Sequence, residues 1–216
     1  MDDTGIEKGF DAFNLLRWRI ANKVKRAFKK ISDWDHKIDP AEALTNLAIS
    51  HIKKLKDQKF FLYIHYVGLH WPYNPPKPYD EMFEPDYKGK HNFNVVNGAI
   101  SRGDLIFNNP LSKDENEHAI AHYDGSIRHA DFQIGRLLKF IDDINLSNDM
   151  LIVLTSDHGE GLGEHDLYFQ HGEYLYEEAI KVPLILKYPK NPKKKIEIQA
   201  QLTDVLPTIL DILDVN

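Results

Sequence analysis

The sequence predicts an α/β fold, and three observations carry that prediction. Met150-Leu151-Ile152-Val153-Leu154-Thr155 is a short continuous apolar run, the pattern of a strand buried on both faces. Val182-Pro183-Leu184-Ile185-Leu186 and Lys59 to Tyr66 are runs of the same character. Between and around them, apolar residues recur at helical spacing, so core strands and helices alternate along the chain.

Taken in order, Asp2 and Asp3 have no apolar strand before them to hold them rigid, and read as a solvated end. Phe13, Leu16, Ile20, Val24, Phe28 and Ile31 mark an amphipathic helix whose other face is rich in Lys and Arg. Such a helix suits a solvated surface, or an anionic one. Asp39-Pro40-Ala41-Glu42 is a helix start, with Asp as N-cap, Pro in the first turn and Glu positioned for a capping box. That helix continues through Leu44, Leu47, Ala48, Ile52 and Leu55. The strand at Lys59 to Tyr66 follows as part of a βαβ arrangement, with His65 as a core residue. It runs into the Pro-rich loop Val67 to Pro76, which presents His70 at a strand end, the ligand-binding edge of an open α/β sheet. Read alone, His70 serves as well as a packed or solvated loop residue. Pro75 to Pro110 reads as a long surface excursion.

Ser112 and Glu115 form a capping box that opens a helix through Ile120, Tyr123, Ile127, Ile134, Leu137, Leu138 and Ile141. His118 and His122 lie at i and i+4 on it and could share a metal. No Glu follows His118 as the zincin pattern requires, so a polar helix face is expected. The strand at Met150 then breaks into Ser156-Asp157-His158-Gly159-Glu160, where Gly159, Gly161 and Gly163 permit a sharp turn. Adjacent Asp157 and His158 offer hard oxygen and nitrogen to a divalent metal. Alternatively, Asp157 caps a turn over a packed His158.

Composition bounds the function. With 216 residues, 42% hydrophobic and 28% charged, the chain can bury a sizeable core. A net charge of −6 and a pI near 6.0 argue against a nucleic-acid partner. No run approaches the roughly 18 apolar residues of a transmembrane segment, and no apolar signal region follows Met1. The absence of Cys excludes disulfides and thiolate metal sites.

Several of these stretches together resemble the sulfatase family of the alkaline phosphatase superfamily. The matching residues are Thr155 to Glu160, Gly163-Glu164-His165, His171-Gly172 with Tyr176-Glu177-Glu178, and Lys181-Val182-Pro183-Leu184-Ile185. Further matches are Lys59 to Tyr63 with His70, Pro72 and Tyr73, then Lys8-Gly9-Phe10-Asp11, and Asp204 with Pro207-Thr208-Ile209-Leu210-Asp211.

The resemblance implies a three-layer αβα core of the alkaline-phosphatase type, represented here by about its later half. The whole of 1–216 would be a single partial domain, with 1–38 as a basic entry segment and 39–216 as the α/β part. Asp157 and His158 would supply half the coordination sphere of a divalent cation, commonly calcium in the family, with manganese and zinc also suited to the pair. His70 would contact the ester being cleaved. His171 falls where most sulfatases have a Lys touching the sulfate, so a titratable donor replaces a point charge.

The family nucleophile, a formylglycine made within C/S-x-P-x-R, has no counterpart in this sequence, nor does the small C-terminal sheet. The implied function is a metal-dependent sulfuric ester hydrolase completed by a missing N-terminal half. A phosphodiesterase or phosphonate ester hydrolase of the same superfamily is the alternative enzyme. A non-catalytic remnant that binds anions or a partner protein is the alternative of another class.

Overall fold

In the computed structural model the described residues are 39–89, 111–172, 174–189 and 193–215. The basic amphipathic helix, Asp2-Asp3 and most of the expected excursion before Pro110 lie outside them. The chain divides into two compact units, Met1–Val67 and Gly68–Asn216.

In the first unit, helix α1 spans Pro40–Leu55. Asp39 caps it by accepting from the Glu42 backbone N–H at 2.9 Å, and Ala41, Ala43, Thr45, Ala48 and Ile52 form its buried stripe. The following segment corrects the sequence reading, because residues 59–66 form no strand. Their side chains alternate between half-buried and exposed, with Phe61 68% and Tyr63 69% exposed, and His65 is exposed rather than in the core. Among the described residues no strand lies beside this segment, so the apolar run has no ladder to join. Tyr66 instead exchanges a 2.8 Å hydrogen bond with Thr45 of α1.

In the second unit, helix α2 spans Lys113–Asp143 and opens on the expected capping box: Ser112 and Glu115 satisfy each other's backbone N–H groups. Its polar face, expected from the sequence, packs inward. His118, His122, Ser126, His129 and Gln133 are buried, not solvated. They remain polar because the loop they pack on supplies partners: His118 Nδ1 lies 2.6 Å from Glu84 Oε2, and His122 Nδ1 donates to the Tyr73 carbonyl at 3.3 Å.

Strand β1 (Ile152–Thr155) pairs antiparallel with β4 (Leu184–Lys187), with Ile152 opposite Lys187 and Thr155 opposite Leu184. Neither strand is buried on both faces, since among the described residues this sheet has two strands only. Between them lie the short strands β2 (Gly161–Leu162) and β3 (Tyr168–Gln170), also antiparallel, and the single-turn helix α3 (Glu177–Ile180). Helix α4 (Val205–Ile212) follows β4.

A cluster of aromatic rings forms the core of this unit. Trp71, Tyr73, Phe169 and Ala119 are buried together, so the Pro-rich loop after Gly68 is itself core. Trp71 stacks on Phe169 at 4.8 Å, and Tyr73 meets Trp71 and Tyr123 edge-on at 5.0 Å each. Each such pair adds about 0.5–1.5 kcal/mol beyond burial. This packing fixes the loop that carries His70 against the β2–β3 hairpin that leads to His171.

Candidate active site

The loop after β1 is held by short polar contacts. Thr155 Oγ1 donates to the Pro183 carbonyl at 2.8 Å, and Ser156 Oγ to the His158 carbonyl at 2.7 Å. The Gly159 N–H donates to the Ala179 carbonyl at 2.7 Å, drawing the loop so near α3 that a Cβ at Gly159 would run into the Glu178 carbonyl oxygen. Gly159 and Gly161 are therefore close-approach positions. Of the three loop glycines expected to turn the chain, Gly163 is the one with positive φ, at 126°.

Three imidazoles converge here from separate segments. His158 and His171 stack with centroids 3.8 Å apart and planes 16° from parallel. His70 stands edge-on to His171 at 5.2 Å and 81°. Each ring commits its Nδ1: His70 to the Trp71 carbonyl at 2.6 Å, His158 to the Gly159 carbonyl at 2.7 Å, and His171 to Glu160 Oε1 at 3.0 Å. A carbonyl oxygen only accepts, so Nδ1 of His70 and His158 carries the proton, and their Nε2 is the nitrogen left for other chemistry.

Glu160 is the residue that sequence reasoning missed. Its side chain is only 5% exposed, and its second oxygen, Oε2, accepts from the Tyr73 hydroxyl at 3.0 Å. The hydrogen bond to Glu160 raises the His171 pKa, burial opposes this, and the charges of Glu160 and Asp157 add to the rise. Burial, followed by the Glu160 charge, pushes the Tyr73 hydroxyl far above its ordinary range, so it stays protonated as a donor. Both residues lay within quoted motifs, but nothing local in the sequence joins positions 87 residues apart.

Asp157 is 65% exposed at its side chain, and its Oδ1 lies 3.8 Å from His158 Nε2. That separation is too long for a hydrogen bond and short enough for one cation to touch both, given metal–ligand bonds of about 2.0–2.6 Å. The second nitrogen of His158 is held by a backbone carbonyl, the usual support of a metal-binding imidazole. The pair thus fits two ligands of a divalent cation. Among the described residues, no group of three or more potential ligands gathers.

The Sulfatase family profile matches residues 4–215. The chain belongs to the sulfatase family. It is 29% identical to an arylsulfatase of Clostridium perfringens over 205 residues, covering 85% of this chain and 40% of that protein. It is also 29% identical to the human iduronate 2-sulfatase over 176 residues, covering 69% of this chain and 30% of that enzyme. Among solved structures, a sulfatase from Bacteroides fragilis superposes with TM-score 0.62 at 26% identity, over 80% of this chain and 36% of that one. A phosphonate monoester hydrolase from Silicibacter pomeroyi shares the fold, with TM-score 0.69 at 24% identity over 82% of this chain and 38% of that one. The sulfatase-family chain is α/β, as the sequence predicts, and spans less than half the length of these relatives. No helix among its described residues is long and apolar enough to cross a membrane.

Proposed function

We propose that the complete protein is a sulfuric ester hydrolase and that this chain supplies the later half of its active site. The observation that carries the reading is the convergence of His70, His158 and His171 beside Asp157 in a chain of the sulfatase family. Hydrolysis breaks the ester bond to the leaving oxygen, which must gain a proton, while the sulfate oxygens need charge neutralisation. His70 and His171 are the groups for that work. Glu160 raises the His171 pKa, and in its protonated form His171 attracts the anion and can give its Nε2 proton to the departing alkoxide.

Asp157 and His158 would hold a divalent cation, with calcium favoured by family habit and manganese or zinc also compatible with the donor pair. When bound, that ion polarises the ester and neutralises charge. The remaining ligands and the nucleophile would come from parts of the complete protein outside this sequence.

Phosphate and phosphonate esters are the second substrate class. The support for them is 28% identity to the multifunctional alkaline phosphatase superfamily protein PehA of Trinickia caryophylli, over 78% of this chain and 37% of that protein. The complete protein should be assayed on matched aryl sulfate, phosphate and phosphonate esters, alongside His70→Ala and His171→Ala. Sulfate turnover reduced about 10²-fold or more by His171→Ala supports the reading. Turnover of none of the three esters, or sulfate turnover untouched by both substitutions, overturns it.

A further inference from the structure

The three imidazoles of the site differ in what holds them. His70 and His158 are each held by a carbonyl of the next residue, so their tautomer is built into the backbone. His171 is held by a side chain 11 residues earlier in the chain. We propose that Glu160, anchored by Tyr73, is a positioning residue that keeps the proton on His171 Nδ1 and turns Nε2 toward the ester. The inference rests on the reading of this cluster as an ester site, and it assigns a role to two residues outside the reacting set.

The geometry carries it in three steps. Both Glu160 oxygens are spoken for, Oε1 by His171 at 3.0 Å and Oε2 by Tyr73 at 3.0 Å, so the carboxylate has one orientation that satisfies both. The Tyr73 hydroxyl cannot swing away, because its ring is fully buried between Trp71, Tyr123 and Phe169. The His171 ring is then confined by Glu160 at Nδ1, by the face of His158, and by the edge of His70. An ionised carboxylate only accepts, so a neutral His171 in this setting must be the Nδ1–H tautomer. Without Glu160 that constraint disappears, and the ring is free to exchange tautomers and to rotate about its side-chain bonds.

The test is a two-bond proton–nitrogen spectrum of the imidazoles in the ¹⁵N-labelled chain, recorded above the imidazole titration range. The variants are Glu160→Ala, Glu160→Gln and Tyr73→Phe, and inorganic sulfate is titrated at neutral pH in parallel. The expected result is an Nδ1–H pattern for His171 in the wild type that Glu160→Ala converts to a mixture and Glu160→Gln preserves, because its amide oxygen still accepts. A merely structural role would lower stability in all variants without moving the tautomer.

An Nε2–H pattern in the wild type, or an unchanged Nδ1–H pattern in Glu160→Ala, overturns the proposal. Glu160→Gln is close to isosteric and decides the matter if Glu160→Ala fails to fold, since its loss of the Nδ1–H pattern also overturns it. A sulfate-induced shift at His171 Nε2 in the wild type that disappears in Glu160→Ala ties the positioning to the anion. If the tautomer behaves as expected and the wild type ignores sulfate, the ester-site reading fails while the hold of Glu160 on His171 stands.

Discussion

Replacing Tyr73 with Phe isolates one hydrogen bond at the centre of this structure. The ring is fully buried and its contacts with Trp71, Tyr123 and Phe169 survive the change, so packing is conserved. What is lost is the hydroxyl that donates to Glu160 Oε2 at 3.0 Å. A hydrogen bond to a charged group contributes about 1.5–3 kcal/mol, and a buried carboxylate oxygen is left unpaired. Tyr73→Ala, which also removes the ring, should cost about 3–5 kcal/mol.

The Phe variant has a pH signature as well. Folding raises the Tyr73 pKa above its ordinary 10.0, so the folded state keeps a proton that the unfolded chain releases. This contribution to stability is complete below pH 10.0 and is lost as pH rises beyond it, at about 1.4 kcal/mol per unit. Urea unfolding of wild type and Tyr73→Phe at successive pH values should therefore show a constant gap up to neutral pH and beyond. Above pH 10 that gap should shrink by about 1.4 kcal/mol per unit. A gap that stays constant to pH 11.5, where about 3% of an unperturbed tyrosine remains protonated, would refute the buried Tyr73–Glu160 pairing.

Three further outcomes test the framework. Gly159→Ala drives a Cβ into the Glu178 carbonyl and should destabilise the protein by about 1–3 kcal/mol in thermal melts, whereas Gly68→Ala, with open space around it, should leave this packing undisturbed. Ser112→Ala removes the N-cap of α2 and should cost about 1 kcal/mol by chemical denaturation. The same cap holds the Glu115 carboxyl below its ordinary 4.5 through the Ser112 backbone N–H and hydroxyl. The part of this that the hydroxyl supplies is present above pH 4.5 and is lost as pH falls below, so the gap between wild type and Ser112→Ala should narrow in acid while the cap's own share of it persists.

The α/β class was legible in the sequence, and the segments that carry the candidate site could be named from their motifs. Asp157, His158 and His70 stand at loop positions suited to a ligand, but read alone each serves as a turn cap or a packed loop residue, and it was the resemblance of their motifs that singled them out. His171 was singled out only by the resemblance of the surrounding motif to the sulfatase family. What could not be read was how these segments meet, since neither stacking of His158 on His171 nor the Tyr73–Glu160 bond leaves a local pattern. Residues 59–66 show the opposite failure. Their composition is that of a core strand, yet strand formation depends on a neighbour, and here the segment leans on α1 through Thr45 and Tyr66. The polar face of α2 was legible, but its burial was not: His118 and His122 pack inward because Glu84 and the Tyr73 carbonyl meet them.

On the proposed reading, Asp157 and His158 would supply half of a cation site. Titration calorimetry of the purified chain with calcium, manganese and zinc, repeated on Asp157→Ala and His158→Ala, tests it directly. The expected result is saturable binding of at least one of these ions by the wild type, abolished by either substitution. Binding that survives both substitutions, or no binding by any of the three proteins, would contradict it.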